Sequence, residues 1–353
     1  MTRNSGVPGS RSVLLVGNFA PISASYAGVS QELAERLERA GWRVIRSSYR
    51  RLRVLNALDM LRTCWTERNH YDVAHVEVYS GRAFLWAAAA CGLLRRLGKP
   101  YVIGLHGGNL PNFFGAHAKR GRKFLQSAPA VVSPSPYLQK AFAAWRPDVQ
   151  LIPNAINLQR YPSRARRHAC PKLIWLRAFR KMYAPEMAVE ALAAIAREFP
   201  DASLTMIGPD RKDGSLECAL SRAHRLRVMD RVSFIAGIPK REVGFHLCKA
   251  DIFLNTATID NTPVSVMEAL SCGLCVVSTN VGGIRDLLDD GLDSLLVDPN
   301  DAVGMAAAIR RVLLEDGLAE KLSNNALQKA KNFDWTVVLP RWQTLLSSAR
   351  ANR

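Results

Sequence analysis

Cysteine is present without pattern, and other marks of special architecture are missing with it. The 353 residues carry seven cysteines, at 64, 91, 170, 218, 248, 272 and 275. An odd number without framework spacing excludes a small disulfide-stapled scaffold and fits a reducing compartment. Cys272 and Cys275 form a C-x-x-C, yet no second pair or nearby His follows, so packing is expected of them rather than zinc binding or redox work. The longest apolar run, 83–94 (AFLWAAAACGLL), falls well short of the roughly 20 residues that span a bilayer. Near Met1 no such run follows basic residues, so no signal peptide is expected. The chain is therefore read as cytoplasmic, soluble or peripheral at the inner face of a membrane. Internal repeats and low-complexity tracts are absent too.

Acidic groups are scarce in one half only. Residues 1–168 hold 25 Lys and Arg against 8 Asp and Glu, whereas residues 169–353 hold 23 against 22. The first half is thus expected to meet something anionic. With 48% hydrophobic and 22% charged residues the composition excludes a disordered chain or a fibre. The length suits two domains of about 150–200 residues.

What is present is alternation. Short hydrophobic runs at 12–18, 42–47, 72–78, 101–106, 130–133 and 149–153 are separated by amphipathic stretches. A second series at 172–177, 203–208, 231–236, 250–255, 274–279 and 294–298 repeats the pattern. This is the signature of βαβ units on parallel sheets, and it predicts an α/β chain of two doubly wound, Rossmann-like domains facing each other across a cleft. The expected division is 1–153, a turn-rich basic linker at 154–168, and 169–333. A helix over 334–353, interrupted near Pro340, is expected to pack back on the first domain.

The stretch 260–285, DNTPVSVMEALSCGLCVVSTNVGGIR, is the most informative. Asn261 and Thr262 are helix-capping types, and Pro263 favours the first helical position. The N–H groups of Val264 and Ser265 would then open a helix N-terminus, a ready seat for phosphate. Asp260 and Glu268, eight positions apart, could bracket a ligand and accept from its hydroxyls. The plain alternative is a capped helix with a surface Asp and a solvated Glu.

These residues resemble the nucleotide-sugar motif of the retaining GT-B glycosyltransferases of family 4. The resemblance covers most of the chain, in order: 17–45 (opening Gly-containing loop and helix), GLHGGNLP at 104–111, IPNAINLQRY at 152–161, WLRAF at 175–179 and VSFIAGIPKREV at 232–243. It implies the GT-B fold and a nucleotide-diphosphate sugar as donor, with no cofactor and no metal, since no D-x-D stands at a strand end. Glu268 becomes a ribose acceptor, Asp260 a partner of the donor sugar, and His106, with Gly107 and Gly108, a neighbour of the anomeric centre. Arg177 and the helix ends at Gly28 and Val264–Ser265 meet the diphosphate, and Gly237 and Ile238 meet the base through the main chain. Three departures stand out. Asp260 replaces the usual Glu, Ala27 precedes Gly28 where two glycines are usual, and Met182 replaces a usual Lys, for which Lys181 is expected to substitute, with Arg180 the alternative. In isolation His106 would read as a loop or core histidine, and Arg177 as a strand-end salt-bridge partner.

Basic and apolar residues mix at 46–65 (RSSYRRLRVLNALDMLRTCW) and in the cluster His117, Lys119, Arg120, Arg122, Lys123 before Phe124 and Leu125. The pattern favours an anionic membrane surface and a glycan or lipid-linked acceptor. Leu55, Leu58, Leu61 and Trp65 share a helical face expected to pack on the sheet. Competing readings are a nucleotide-sugar epimerase or hydrolase on the same plan and a non-catalytic nucleotide-sugar-binding regulator. Nucleic-acid binding is disfavoured because no recognisable motif for it is present.

Overall fold

The computed structural model describes residues 11–17, 29–47 and 53–351. Its strands form two six-stranded parallel sheets. The first contains β1 (Ser12–Val16), β2 (Arg43–Arg46), β3 (Val73–Val78), β4 (Tyr101–Leu105), β5 (Ala130–Ser133) and β6 (Gln150–Leu151), in the order β2-β1-β3-β4-β5-β6. The second contains β7 (Lys172–Leu176), β8 (Ser203–Ile207), β9 (Val232–Ile235), β10 (Ile252–Asn255), β11 (Cys275–Thr279) and β12 (Ser294–Val297), in the order β12-β11-β10-β7-β8-β9. Every strand expected from the sequence is found, with ends trimmed by a residue or two. The reason is compositional: parallel strands covered by helices on both faces need near-continuous apolar runs, and every residue of β4 and β11 is buried.

The chain divides into two compact units. One comprises the described residues up to Asn154 together with the helix Trp335–Ala351, and the other Ala155–Asp334. In the second unit alternate strand residues feed two cores. Trp175, Leu204 and Val277 pack with Leu192, Ile309 and Leu322, while Ile174, Phe253 and Val276 pack with Leu247, Val266 and Ile284 on the other face. The first unit's largest core joins Val76, Ile103 and Leu105 to Leu94, Phe114 and Phe142.

Of the stretch read from the sequence as a linker, 154–168, all but Asn154 belongs to the second unit, and Ile156, Tyr161 and Arg166 are buried there. Arg166 is fully buried and fully engaged. Its Nε donates to Asp251 Oδ1 at 3.1 Å, Nη2 to the Ala250 carbonyl at 2.9 Å, and Nη1 to the carbonyls of Arg164 and Cys272 at 2.8 and 2.5 Å. A charge so buried is tolerated because each of the three nitrogens finds an acceptor and Asp251 balances the charge.

Three local expectations need correction. The helix Trp335–Ala351 runs through Pro340 without interruption. Proline forfeits one backbone hydrogen bond there, and burial of Trp335, Val338, Trp342, Leu345 and Leu346 outweighs the loss. In the helix Arg53–Thr66, Leu61 packs against the first unit's core as expected, whereas Leu58 and Trp65 are 55% and 52% exposed; Cys64 is buried, and the Leu55 side chain lies outside the described residues. Trp65 instead lies under the Arg68 guanidinium, 4.8 Å from the ring centroid. Finally, Pro263 is the N-cap of the helix Val264–Ser271 rather than its first residue. Its extended backbone (φ −69°, ψ 121°) turns the carbonyl to accept from Val266 and Met267. Cys272 and Cys275 are buried and unbridged, and burial pushes the Cys275 thiol up to about 12. No helix among the described residues is long and apolar enough to cross a membrane.

Candidate functional site

In the second unit the carboxyl ends of β7 and β10 bring Arg177 and Asp260 together. Arg177 directly follows β7, and its Nη2 donates to Asp260 Oδ2 at 2.6 Å. Asp260 Oδ1 accepts from the Asn261 N–H at 2.9 Å, so the carboxylate is oriented from both sides. The ring of Tyr183 lies under the guanidinium, 4.0 Å from Cζ to the centroid. Burial works against the charge on Arg177, but Asp260 and Tyr183 outweigh it and hold its pKa above the ordinary value. Arg177 Nε is buried and makes no hydrogen bond, a donor left over for a ligand. Backbone packing fixes the loop around Asp260. The Gly283 N–H donates to the Asp260 carbonyl at 3.2 Å, and any β-carbon at Gly282 or Gly283 would collide with the carbonyls of Asp260 and Asn261. Gly282 also has φ of +50°, where glycine alone is unstrained.

Val264, Ser265 and Glu268 follow on the next helix. Residues three and four apart share a face, so Glu268 stands one turn inside the helix on the side of the Val264 and Ser265 N–H groups. Asn261, Thr262, Pro263 and Ser265 are buried, and the Ser265 Oγ is without a hydrogen bond. Glu268 is buried yet not solvated, contrary to the plain alternative: its Oε1 accepts from the Tyr161 hydroxyl at 2.7 Å and pairs with the Lys240 ammonium. Both donors sit on the same oxygen of Glu268. Lys240 arrives there because the turn after β9 exposes Gly237 and buries Ile238 in the core beside Val266, anchoring the short helix that begins at Lys240.

No hydrogen bond or ion pair joins Lys181 to this group among the described residues. Its backbone N–H donates to Asp213 at 2.9 Å, and its side chain is exposed and makes no ion pair among the described residues. At Met182 it is the carbonyl that is used, accepting from Thr258 N and Oγ1 at 2.9 and 3.1 Å.

His106 and Gly107 belong to the first unit, just beyond β4. The His106 N–H is bound to the Val78 carbonyl at 2.8 Å, and its ring stacks on Tyr79 with centroids 5.3 Å apart. Gly107 has φ of +90°, which frees the loop from any β-carbon at the turn. Burial lowers the His106 pKa to about 4, so the ring is neutral near pH 7. Gly28 lies outside the described residues. No group of three or more His, Cys, Asp or Glu among the described residues is placed to hold a metal ion.

Comparison with known proteins fits this geometry. Residues 22–160 match the model of Glycosyltransferase Family 4, and residues 163–329 that of Glycosyl transferases group 1. The chain belongs to glycosyltransferase family 4. Glycogen synthase of Mycobacterium tuberculosis is 27% identical over 210 residues, covering 58% of this chain and 50% of that protein. D-inositol 3-phosphate glycosyltransferase of Corynebacterium diphtheriae is 26% identical over 168 residues, covering 47% of this chain and 39% of that protein. The chain thus spans half or less of the length of these curated relatives. Among solved structures, sucrose-phosphate synthase from Thermosynechococcus elongatus superposes with a TM-score of 0.81 at 18% identity, covering 98% of this chain and 100% of that one. Anabaena HepE in complex with UDP-glucose superposes at 0.74 and 17% identity, covering 96% and 99%. These likenesses show the GT-B fold.

For this family 4 chain, sequence reasoning missed three site residues: Tyr161, Lys240 and Tyr183. Tyr161 lay in the stretch read as linker, and Lys240 in a turn valued only for its main chain. No periodicity marks such residues: Tyr161 and Lys240 reach Glu268 from 107 and 28 positions away, and Tyr183 reaches Arg177 across the turn that follows β7.

Proposed function

We propose that the chain transfers a sugar from a nucleotide-diphosphate donor to a glycan or lipid-linked acceptor with retention of anomeric configuration, in cell-surface polysaccharide or glycolipid synthesis. The observation that carries this reading is the pairing of Arg177 with Asp260 beside a helix N-terminus, with Glu268 held one turn inside it. Breaking the anomeric C–O bond leaves a nucleoside diphosphate with new negative charge. Arg177 and the N–H groups of Val264 and Ser265 are fixed before that charge develops, so they need no reorganisation to stabilise it. On this reading the donor phosphate takes the acceptor hydroxyl's proton as the sugar moves to that oxygen on the same face, and neither metal nor cofactor is required. Glu268 accepts from the ribose hydroxyls, Asp260 orients the donor sugar, and His106 serves the reacting sugar. That HepE was solved with UDP-glucose supports the donor class.

For the acceptor, the exposed basic helix Ala118–Ser127, with Lys119, Arg120, Arg122 and Lys123 at the surface, favours an anionic lipid surface at the cytoplasmic face. Exposed Leu58, Trp65 and Leu85 in the same unit add apolar contacts. Phe124, by contrast, is engaged edge-on with Phe84 at 5.0 Å and belongs to the interior.

Thermal shift with UDP, GDP and ADP tests the donor site, because a ligand that binds only the folded state raises the melting temperature. One of the three is expected to do so, and no shift with any of them overturns the reading. Release of free sugar or epimer without acceptor would favour the hydrolase or epimerase instead. Flotation with anionic and neutral vesicles tests the surface, with recovery expected on anionic vesicles only. Equal recovery on both removes the membrane contact.

A further inference from the structure

Three segments of the second unit that hold Glu268 converge on two thiols that the donor chemistry does not use. Tyr161 stands on residues 160–164, Lys240 opens the turn that leads into the helix Val243–Cys248, and Glu268 belongs to the helix Val264–Ser271. Glycines let these segments close up. A β-carbon at Gly244 would stand 2.6 Å from the Arg160 carbonyl oxygen, and one at Gly273 would stand 2.5 Å from that of Arg164. Residues 160–164 thus run between the helix Val243–Cys248 and the turn after Ser271.

The two cysteines border that strip from its two sides. Cys248 lies one turn after Gly244 on the same helical face, and its Sγ donates to the Pro162 carbonyl at 2.9 Å. Cys272 directly precedes Gly273, and its carbonyl accepts from the Arg164 N–H at 3.4 Å. They also meet each other, because their side chains are hydrogen-bonded. A thiol has one hydrogen to give. Since that of Cys248 goes to Pro162, Cys272 is the donor, and a relay runs from Cys272 through Cys248 to the carbonyl. Cys275, the partner of Cys272 in the C-x-x-C, takes no part: it packs in the opposite core, with Sγ donating to the Ala319 carbonyl at 3.5 Å.

We propose that Cys248 and Cys272 are an oxidative modification site, closed to a disulfide by a peroxide and reopened by a thiol reductant, whose closure weakens donor binding. Cys248 is half-buried and Cys272 fully buried, so a peroxide meets Cys248 first. The Cys248 thiolate attacks one peroxide oxygen; an S–O bond forms, the O–O bond breaks, and the departing hydroxide takes up a proton as water, leaving a sulfenic acid. The Cys272 sulfur then attacks that of Cys248; the S–S bond forms, the S–O bond breaks, and the hydroxide leaves as water with the Cys272 proton. Two thiols lose two electrons, and one peroxide becomes two waters. Burial, with Cys248 adding to it, holds the Cys272 thiol above its ordinary pKa, so it does not compete for the oxidant. A reversible disulfide of this kind suits a reducing compartment. Closure draws the sulfurs to about 2.05 Å and ends the bond from Cys248 to Pro162, which loosens the strip that presents Tyr161 to Glu268. The effect on binding rests on the reading of Glu268 as the ribose acceptor, whereas the disulfide itself does not.

The full chain, reduced and peroxide-treated, tests both parts. Trypsin cuts after Lys249 and separates Cys248 from a peptide that carries Cys272 and Cys275. Mass spectrometry of the treated wild type should find these peptides joined, and joined equally in Cys275→Ser, but not in Cys248→Ser or Cys272→Ala. Dithiothreitol should release them. Treated wild type should bind the nucleoside diphosphate it recognises among UDP, GDP and ADP at least about fivefold more weakly than reduced wild type, and dithiothreitol should restore the affinity. Cys248→Ser, whose hydroxyl can still donate to Pro162, should bind equally before and after treatment. Absence of the Cys248–Cys272 link after peroxide, or a link that leaves affinity unchanged, overturns the proposal. An equal loss of affinity in Cys248→Ser also overturns it, because the exposed Cys170 and Cys218 would then carry the effect. Should the wild type bind none of the three nucleotides yet form the link, the functional reading fails and the oxidation site stands.

Discussion

Arg177 shows how one side chain can be both held and available. Asp260 takes Nη2, Tyr183 takes the face of the guanidinium, and Nε remains for a ligand. Arg177→Ala should therefore lower nucleoside-diphosphate affinity and turnover together, by roughly a hundredfold or more in kcat/KM, with the circular dichroism spectrum unchanged. Activity within a few fold of wild type would remove Arg177 from the mechanism. Two histidines of the first unit, His106 and His75 on β3, give a pH prediction. Burial, with the neighbouring His106 adding to it, lowers the His75 pKa to about 3, and burial lowers that of His106 to about 4, against an ordinary value near 6.5. Below about pH 6.5 the unfolded chain takes up protons that the folded chain refuses, so the contribution present above that pH is lost as pH falls towards 3. The melting temperature should drop between pH 6.5 and 4, and His75→Phe should flatten that slope. Parallel curves for the two proteins would count against it.

At the scale of elements, loops rather than strands make the site. The helix Val264–Ser271 supplies its open N–H groups only because Pro263 ends the extended run before it, and Asp260 is held there by the backbone of the Gly282–Gly283 turn. Gly282→Ala combines a left-handed backbone with a collision against a carbonyl. It should cost about 1–3 kcal/mol of stability in denaturant unfolding and weaken nucleoside-diphosphate binding as well, because the displaced residue is Asp260. Unchanged midpoint and affinity would mean that the turn does not brace the site. The motif at 260–285 was legible because its capping residues, glycines and acids are local signals. The pairing of Lys240 with Glu268 was not, since 28 positions separate them and only the packing of Ile238 directs the turn. Of the face expected to pack, Leu61 does so while Leu58 and Trp65 do not, for the same reason: periodicity gives a stripe, whereas the neighbouring helix decides which part of it is covered.

For the whole molecule, the two units differ in how the chain closes them. The second is continuous from Ala155 to Asp334, whereas the first is completed by the C-terminal helix. Trp335 donates to Glu32 Oε2 at 3.1 Å across more than three hundred residues of sequence, and Trp342 meets the ring of His75 edge-on. Truncation after Asp334 should therefore destabilise the first unit and leave the second folded. Hydrogen exchange would show this as lost protection in β1, β3 and β4 with β7, β10 and β11 unaffected. Equal loss in both sets would contradict it. By itself the sequence determined the two parallel sheets, their strand segments and the helix N-terminus with its acids, because hydrophobic period, capping chemistry and glycine act over a few residues. Only the tertiary structure decided which cation meets Glu268, that residues 155–168 join the second unit, and that Cys248 meets Cys272 beside Pro162. Those outcomes depend on long-range packing, which brings together side chains that no local pattern relates.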